Sequence, residues 1–175
     1  MTRPSVMGAA LMAVALAFTV ATAEAKTLRF SSQGDIVTID PHAQNEGFTN
    51  AFLDNIYEPL VTRGKELKVE PCLALSWQNV NPTTTRFKLR PNVRFHDGAP
   101  FTADDVVFTI ERALSDTSNF KPYLAGVKEA KKVDDLTVDI TTEGPAPVLI
   151  PQLTEIRIMS RAWATKHNVL KPQDF

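Results

Sequence analysis

The sequence has only one cysteine, Cys72, and this excludes an internal disulfide as a source of stability. Its neighbourhood, Pro-Cys-Leu-Ala-Leu over residues 71–75, predicts a small buried apolar side chain and not a reactive thiol. Glycine is also scarce, with 7 residues against 12 prolines. We therefore expect many short elements joined by stiff turns.

An excess of charge of either sign is missing as well. The net charge is -1 at pH 7, and the isoelectric point is about 6.3. Charges are dispersed along the chain, and the densest basic patch, 128–132, predicts a solvated strand face. The composition thus predicts neither a nucleic acid nor an acidic surface as a partner.

The spacings that mark metal sites are absent from the sequence. None of the three histidines, His42, His96 and His167, stands in a metal-ligand pattern with another or with Cys72. We therefore predict no metal site. His42 and His96 each lie in a turn that contains an aspartate, which predicts local hydrogen bonding.

The motifs of catalysis are absent too. The sequence contains no Gly-rich phosphate loop, no His-Glu-x-x-His, no Cys-x-x-Cys and no Gly-x-Ser-x-Gly. The adjacent carboxylates at 104–105 and 134–135 point apart in a helix or a turn, so we assign them to capping and turn formation. We predict no catalytic residue, no cofactor and no enzyme activity.

Long hydrophobic runs are missing beyond the first residues. The run 6–20 follows Arg3 and is closed by small residues, with Ala23-Glu-Ala25 as a cleavage pattern. It is shorter than the roughly 20 residues of a spanning helix. This predicts a signal peptide over residues 1–25, cleaved after Ala25; a retained membrane anchor is the alternative. No cysteine ends the run, so we expect no lipid anchor, and no later segment is apolar enough to be membrane-embedded.

The most organised stretch is Arg90–Leu114. Its first half predicts a strand that ends in a tight turn at Asp97-Gly98, where glycine accepts a positive φ. Thr102 precedes Asp105 by three residues, which resembles a capping box with aspartate in the glutamate position. The predicted helix presents an apolar face at helical spacing, made of Val106, Val107, Ile110, Ala113 and Leu114.

Shorter elements are predicted on both sides of this stretch. Ser160 is the predicted N-cap of the last helix, and Trp77 is predicted in the core. The other predicted elements are a helix from Thr49 to a C-cap at Gly64, strands at 67–70, 73–77 and 83–89, a hairpin of 127–133 and 136–141, and helices at 147–153 and 161–167.

Several of these segments carry a family resemblance. Residues 90–109 read Arg-x-x-Val-Arg-Phe-His-Asp-Gly-x-Pro-Phe-Thr-Ala-x-Asp-Val-Val-Phe-Thr, which resembles the signature segment of the family 5 extracellular solute-binding proteins of ABC importers. The shorter segments Asp40-Pro-His42, Tyr57-Glu-Pro-Leu60 and Pro71-x-Leu-Ala-x-Ser-Trp77 are similar to further motifs of that family.

The resemblance implies a mixed α/β fold, the N-terminal part of a two-lobed periplasmic binding protein-like II fold. Residues 26–64 would begin ligand-binding lobe I, and 65–175 would form its small N-terminal subdomain. The remainder of lobe I and all of lobe II would be missing, so the chain resembles an N-terminal fragment. We expect an exposed apolar surface where the missing parts would pack.

The function implied by the resemblance is that of a periplasmic substrate-binding protein. It would be a monomer that captures peptides or a related small solute and presents them to the permease subunits of an ABC importer. An exported hydrolase or a structural domain with unrecognised chemistry is the alternative.

The resemblance also implies which residues contact the solute. The segment after Asp40-Pro-His42 lines the cleft in the family, and here it is Asn45, Glu46, Gly47 and Phe48. Alternatively, this loop only caps the next helix. An aromatic residue of the later loop can reach the cleft in peptide-binding relatives, and here it is Tyr123; alternatively, it packs over a helix end. Residues 90–114 themselves are expected to be scaffold.

Overall fold

The computed structural model describes residues 31–32 and 34–174. The predicted signal peptide and its cleavage site lie outside these residues. The architecture below belongs to the unit Gly34–Phe175.

A four-stranded antiparallel sheet forms one layer of the fold. Its strands are β3 (Ala74–Asn81), β4 (Thr84–Leu89), β5 (Val127–Asp134) and β6 (Thr137–Thr142), in the order β3-β4-β6-β5. Phe87 at the centre pairs with Trp77 on one side and Val138 on the other. The predicted hairpin and the pairing of β4 with the strand before it are both confirmed.

A second, two-stranded antiparallel sheet pairs β1 (Val61–Arg63) with β2 (Val69–Pro71). Short helices complete the fold. They are α1 (Gly47–Leu53), α2 (Ala103–Leu114), α3 (Leu149–Gln152), α4 (Arg161–His167) and two 3-10 helices, Lys121–Leu124 and Leu153–Glu155.

Helix α2 packs its apolar face against the sheet. Val106, Ile110 and Ala113 are fully buried there, together with Phe87 and Ile140 of the strands. Alternation along β4 buries every second side chain, which is the pattern of a strand with one face in the core. The predicted apolar face of the helix is confirmed.

The capping box that starts α2 is confirmed too. The Thr102 hydroxyl accepts from the Asp104 amide at 3.3 Å, and the Asp105 carboxylate accepts from the Thr102 amide at 2.9 Å. Its other oxygen accepts from the Arg161 amide at 2.9 Å, so the same carboxylate joins α2 to α4. Helix α4 begins as predicted, with Ser160 accepting from the Trp163 amide at 3.2 Å.

The predicted strand in the first half of Arg90–Leu114 is wrong. Residues 90–99 form turns, with one isolated bridge between Arg94 and Pro100. Asn92 has a φ of 61°, which an extended strand does not allow. The turn at Gly98 is confirmed by its φ of 84°.

The predicted helix from Thr49 to Gly64 is also wrong in length, because α1 ends at Leu53. Pro59 disfavours helical backbone at the residue before it, so the helix cannot continue to Gly64. Gly64 instead lies in the turn between β1 and β2, where its amide donates to Lys68 at 2.9 Å.

Two predicted core residues are less buried than expected. Cys72, in the connection between β2 and β3, and Trp77, on the edge strand β3, are both half-buried. Burial still raises the pKa of the Cys72 thiol, and the nearby Glu58 carboxylate raises it further. Both effects disfavour the thiolate.

Removal of the Thr102 hydroxyl tests the capping box. We expect Thr102→Ala to lower the free energy of unfolding by about 1–2 kcal/mol, because the Asp104 amide loses its acceptor. Urea unfolding followed by circular dichroism measures it. Thr165→Ala, which removes the same atoms from an exposed position within α4, is the control. Equal effects of the two substitutions would contradict this role of Thr102.

Candidate functional site

The segment predicted to contact solute lies at the start of α1. Asn45, Glu46 and Gly47 are exposed, and Phe48 is half-buried. The Glu46 carboxylate caps the helix by accepting from the amides of Phe48 and Thr49, both at 2.8 Å. These hydrogen bonds hold the pKa of Glu46 below its ordinary value. The alternative capping role thus describes what this carboxylate does, while Asn45 remains open to solvent.

The structure brings Asn45 and Tyr123 together across 78 residues of sequence. The Asn45 carboxamide donates to the Tyr123 hydroxyl at 3.4 Å, and its oxygen accepts from the Asn50 carboxamide at 2.9 Å. Tyr123 lies on the 3-10 helix Lys121–Leu124 and is half-buried. Two carboxamides and one phenol therefore form an exposed polar group, here called the Asn45–Tyr123 pair with Asn50.

An aromatic and cationic cluster lies behind this pair. The Phe120 ring is fully buried and stacks on Tyr123 with 5.7 Å between ring centroids. The His42 ring meets Phe120 edge-on at 6.0 Å. The Arg157 guanidinium carbon is 5.8 Å from the Phe120 ring centroid, within cation–π range.

Arg157 is a residue of this site that the sequence analysis missed. It is 2 % exposed, and its Nη2 lies 2.7 Å from the Asp54 carboxylate. It also donates to the Asn50 carbonyl at 3.2 Å and so holds the C-terminal part of α1. A signal was present, since a lone arginine between two isoleucines is unusual within an apolar segment.

A buried ion pair underlies the segment before Asn45. Arg112 donates to both Asp40 oxygens, at 2.8 and 2.9 Å, and its Nη1 is 3.1 Å from His42 Nδ1. All three residues are 2 % exposed or less. Burial raises the pKa of Asp40, but the hydrogen bonds from Arg112 and from the amides of His42 and Gln173 outweigh it, so the pKa lies below its ordinary value.

His42 is held in its neutral form by its surroundings. Burial, and then the charge of Arg112, lower its pKa from 6.5 to about 3. Its Nε2 lies 3.0 Å from the Arg157 carbonyl, which only accepts, so the proton lies on Nε2 and Nδ1 accepts from Arg112. Local hydrogen bonding was predicted for His42, and its backbone amide does donate to Asp40 at 3.0 Å. Its ring instead makes long-range contacts.

A cleft of about 600 Å³ lies to one side of this site. Its walls come from 54–58, 93–97, 158–160 and Trp163, together with Leu73 and Phe101. Trp163 lines it and is 39 % exposed. None of the predicted solute-contacting residues lines it, so the cleft and the Asn45–Tyr123 pair are separate features. Whether missing parts of lobe I would pack on this cleft stays a prediction.

Metal binding and membrane insertion find no support in the described part of the chain. Within residues 31–32 and 34–174, no group of three or more His, Cys, Asp or Glu is arranged to hold a metal ion. No helix among the same residues has the length and apolar character to cross a membrane.

The sequence from residue 68 to residue 173, more than half of the chain, matches the family described as "Bacterial extracellular solute-binding proteins, family 5 Middle". The chain belongs to this family. The resemblance drawn from residues 90–109 is thereby confirmed, and the family favours the solute-binding interpretation over the hydrolase alternative.

Known relatives agree with the assignment. The chain is 30 % identical over 119 residues to the glutathione-binding protein GsiB of Pectobacterium atrosepticum, covering 66 % of this chain and 23 % of the relative. It is 27 % identical over 146 residues to the periplasmic oligopeptide-binding protein OppA of Escherichia coli K12, covering 71 % and 26 %. The chain thus spans about a quarter of the length of these curated relatives.

A solved structure confirms the mixed α/β fold class. The PBP AgaA of A. tumefaciens R10, in complex with agropinic acid, superposes with a TM-score of 0.72 at 28 % identity. The match covers 77 % of this chain and 28 % of AgaA. The described fold therefore matches part of a periplasmic binding protein-like II fold.

The neutral state of His42 predicts a pH dependence of stability. Below pH 6.5 the unfolded chain protonates this histidine, whereas the folded chain does so only near pH 3, so stability is lost as the pH falls. We expect His42→Asn to be less stable at neutral pH but to lose about 2 kcal/mol less than the unmodified chain between pH 6.5 and 5. Urea unfolding across this pH range measures the difference.

The exposed His96 provides the control for this experiment. His96→Asn should keep the pH dependence of the unmodified chain. If His42→Asn has that same pH dependence, His42 is not held neutral in the fold.

The open cleft predicts that the folded chain binds an apolar dye. We expect anilinonaphthalene sulfonate to fluoresce with the native chain and its fluorescence to fall clearly in Trp163→Ala, since Trp163 is the large exposed aromatic of the cleft. Val133→Ala, at an exposed apolar position outside the cleft, is the control. Equal fluorescence of both variants would show that the dye binds elsewhere.

Proposed function

We propose that this chain is part of the substrate-binding component of an ABC importer, which captures a peptide or a related small solute in the periplasm. The observation that carries the proposal is the Asn45–Tyr123 pair with Asn50, whose tyrosine stacks on the buried Phe120 ring. Relatives of the same family are named for binding oligopeptides and glutathione, which supports the same solute class here.

The chemistry of the pair suits the main chain of a peptide. A carboxamide donates and accepts at once, as a peptide group does, and a phenol does the same. The neighbouring charged groups are already occupied, because Glu46 caps α1 and Arg157 is paired with Asp54. The pair therefore offers neutral polar contacts and an aromatic surface. Gly47 adds open space, since a side chain there would meet no atom within 4 Å.

The rest of the binding site is assigned to residues beyond this chain. With about a quarter of the length of its relatives, the chain would supply residues 26–64 to ligand-binding lobe I and 65–175 to its small subdomain. Solute would be enclosed when the two lobes close, and binding would stabilise the closed state by its differential affinity. We propose a monomer, with export through the signal peptide 1–25 and delivery of solute to the permease subunits.

No catalytic step is part of the proposal. Capture and release need only contacts that form and break, and the family is one of solute-binding proteins. The carboxylates beside the pair are engaged in capping and ion pairing, which leaves them poorly placed as a general acid or base.

Titration with defined peptides tests the proposed site. We expect trialanine and glutathione to shift the NMR signals of Asn45, Phe48 and Tyr123. The affinity should be weaker than micromolar, because these 175 residues span only about a quarter of the length of the relatives. Asn45→Ala should reduce the shifts, whereas Asn79→Ala, an exposed position on β3, should not. Shifts confined to the separate cleft would contradict the assignment of the site. Micromolar or tighter binding would contradict the expected weak affinity.

A further inference from the structure

The contact between Asn45 and Tyr123 is too weak to hold itself in place. It consists of one exposed hydrogen bond of 3.4 Å, at the long end of the accepted range. Water competes for such a bond, so its net contribution is small. Some other contact must therefore keep two residues that are 78 positions apart at a fixed separation.

The Phe120 ring is the buried group that contacts Tyr123 directly and leads to Asn45 through its other partners. It is fully buried and stacks on Tyr123 with an interplanar angle of 30°. Its edge-on partner is His42, and its cationic partner is Arg157. Tyr123 lies three residues after Phe120, and its amide donates to the Phe120 carbonyl at 3.0 Å. Both the ring and the backbone of Phe120 therefore fix the position of Tyr123.

The other partners of Phe120 lead to Asn45 by two routes. His42 lies three residues before Asn45, and its carbonyl accepts from the amide of Asn119, the residue before Phe120, at 3.1 Å. Arg157 donates to the carbonyl of Asn50, whose carboxamide in turn donates to Asn45. The segment before Asn45 is thus linked to the Phe120 ring through His42, and the helix after it is linked to the same ring through Arg157.

We infer that Phe120 is a positioning residue, which sets Tyr123 against Asn45 through its contacts with His42 and Arg157. Phe120 is buried and does not touch solute; it acts through the two exposed residues. The role of the pair in solute binding rests on the proposed function, whereas the geometric role of Phe120 does not.

Phe120→Leu in the full chain tests the inference, with Phe87→Leu as the matched control. Both phenylalanines are fully buried in the same core, but Phe87 lies in the centre of the sheet. The first readout is the nuclear Overhauser contact between the Asn45 carboxamide and the Tyr123 ring. The second is the signal shift of these two residues on titration with trialanine, and urea unfolding reports the stability of each variant.

We expect both substitutions to destabilise the chain and only Phe120→Leu to abolish the nuclear Overhauser contact. Its affinity for trialanine should fall by about three- to tenfold, as one aromatic contact would cause, while Phe87→Leu keeps the affinity of the unmodified chain. If the two variants retain or lose the contact alike, Phe120 has only a core-packing role and the inference is overturned.

The two readouts separate this inference from the proposed function. If trialanine shifts no signal of the pair even in the unmodified chain, the solute assignment fails, and the nuclear Overhauser comparison still decides the role of Phe120. If Phe120→Leu does not fold, Phe120→Met is compared with Phe87→Met, because methionine fills core space without a ring.

Discussion

Arg112 and Asp40 meet at a point where neither side chain reaches water, and the described fold is arranged around them. A charge without solvent is tolerated when it is paired and hydrogen-bonded. Here the guanidinium also donates to the Lys171 carbonyl and to His42, and the carboxylate also accepts from two backbone amides. Among the side-chain atoms of the described residues, only the Arg112 Nε is buried without a hydrogen-bond partner. Loss of one partner from such a pair costs about 3–5 kcal/mol, so every segment that touches it is constrained.

The constraint extends from this pair to the surface. His42 must remain neutral and carry its proton on Nε2, because one ring nitrogen faces a donor and the other an acceptor. That requirement fixes the ring, and the ring meets Phe120 edge-on. A chain of contacts therefore runs from the buried charge in α2, through a histidine and a phenylalanine, to the half-buried Tyr123. The orientation of the His42 ring is fixed because each ring nitrogen has one compatible partner, and not because any one hydrogen bond is strong.

The sequence predicted what depends on neighbours along the chain. The capping box at Thr102, the Ser160 cap, the hairpin of β5 and β6 and the apolar face of α2 all follow from spacing within a few residues. The apolar repeat after Thr49 predicts a helix to Gly64, but Pro59 interrupts helical backbone and the helix ends at Leu53. Similarly, the strand expected before Gly98 fails at Asn92, which has a positive φ. Asparagine adopts this conformation more often than most residues, so a local turn signal was present there.

The candidate site was only partly predictable for the same reason. Asn45 and Tyr123 were assigned from a family resemblance, and nothing in the spacing showed that they meet. Arg157 was missed altogether, because its partners Asp54 and Asn50 are over a hundred residues away. Pairings over such distances depend on the tertiary fold, which a single sequence does not display. Glu46 was the opposite case, since its capping role is local and was open as an alternative from the start.

The hydrogen bond of 3.0 Å from the Gln173 amide to the Asp40 carboxylate joins two residues that are 133 positions apart. Residues 40 and 173, near the two ends of this unit, therefore lie next to each other beside the buried ion pair. A unit with adjoining ends can sit within a longer polypeptide as a single insertion, because the host needs to open only one connection to receive it.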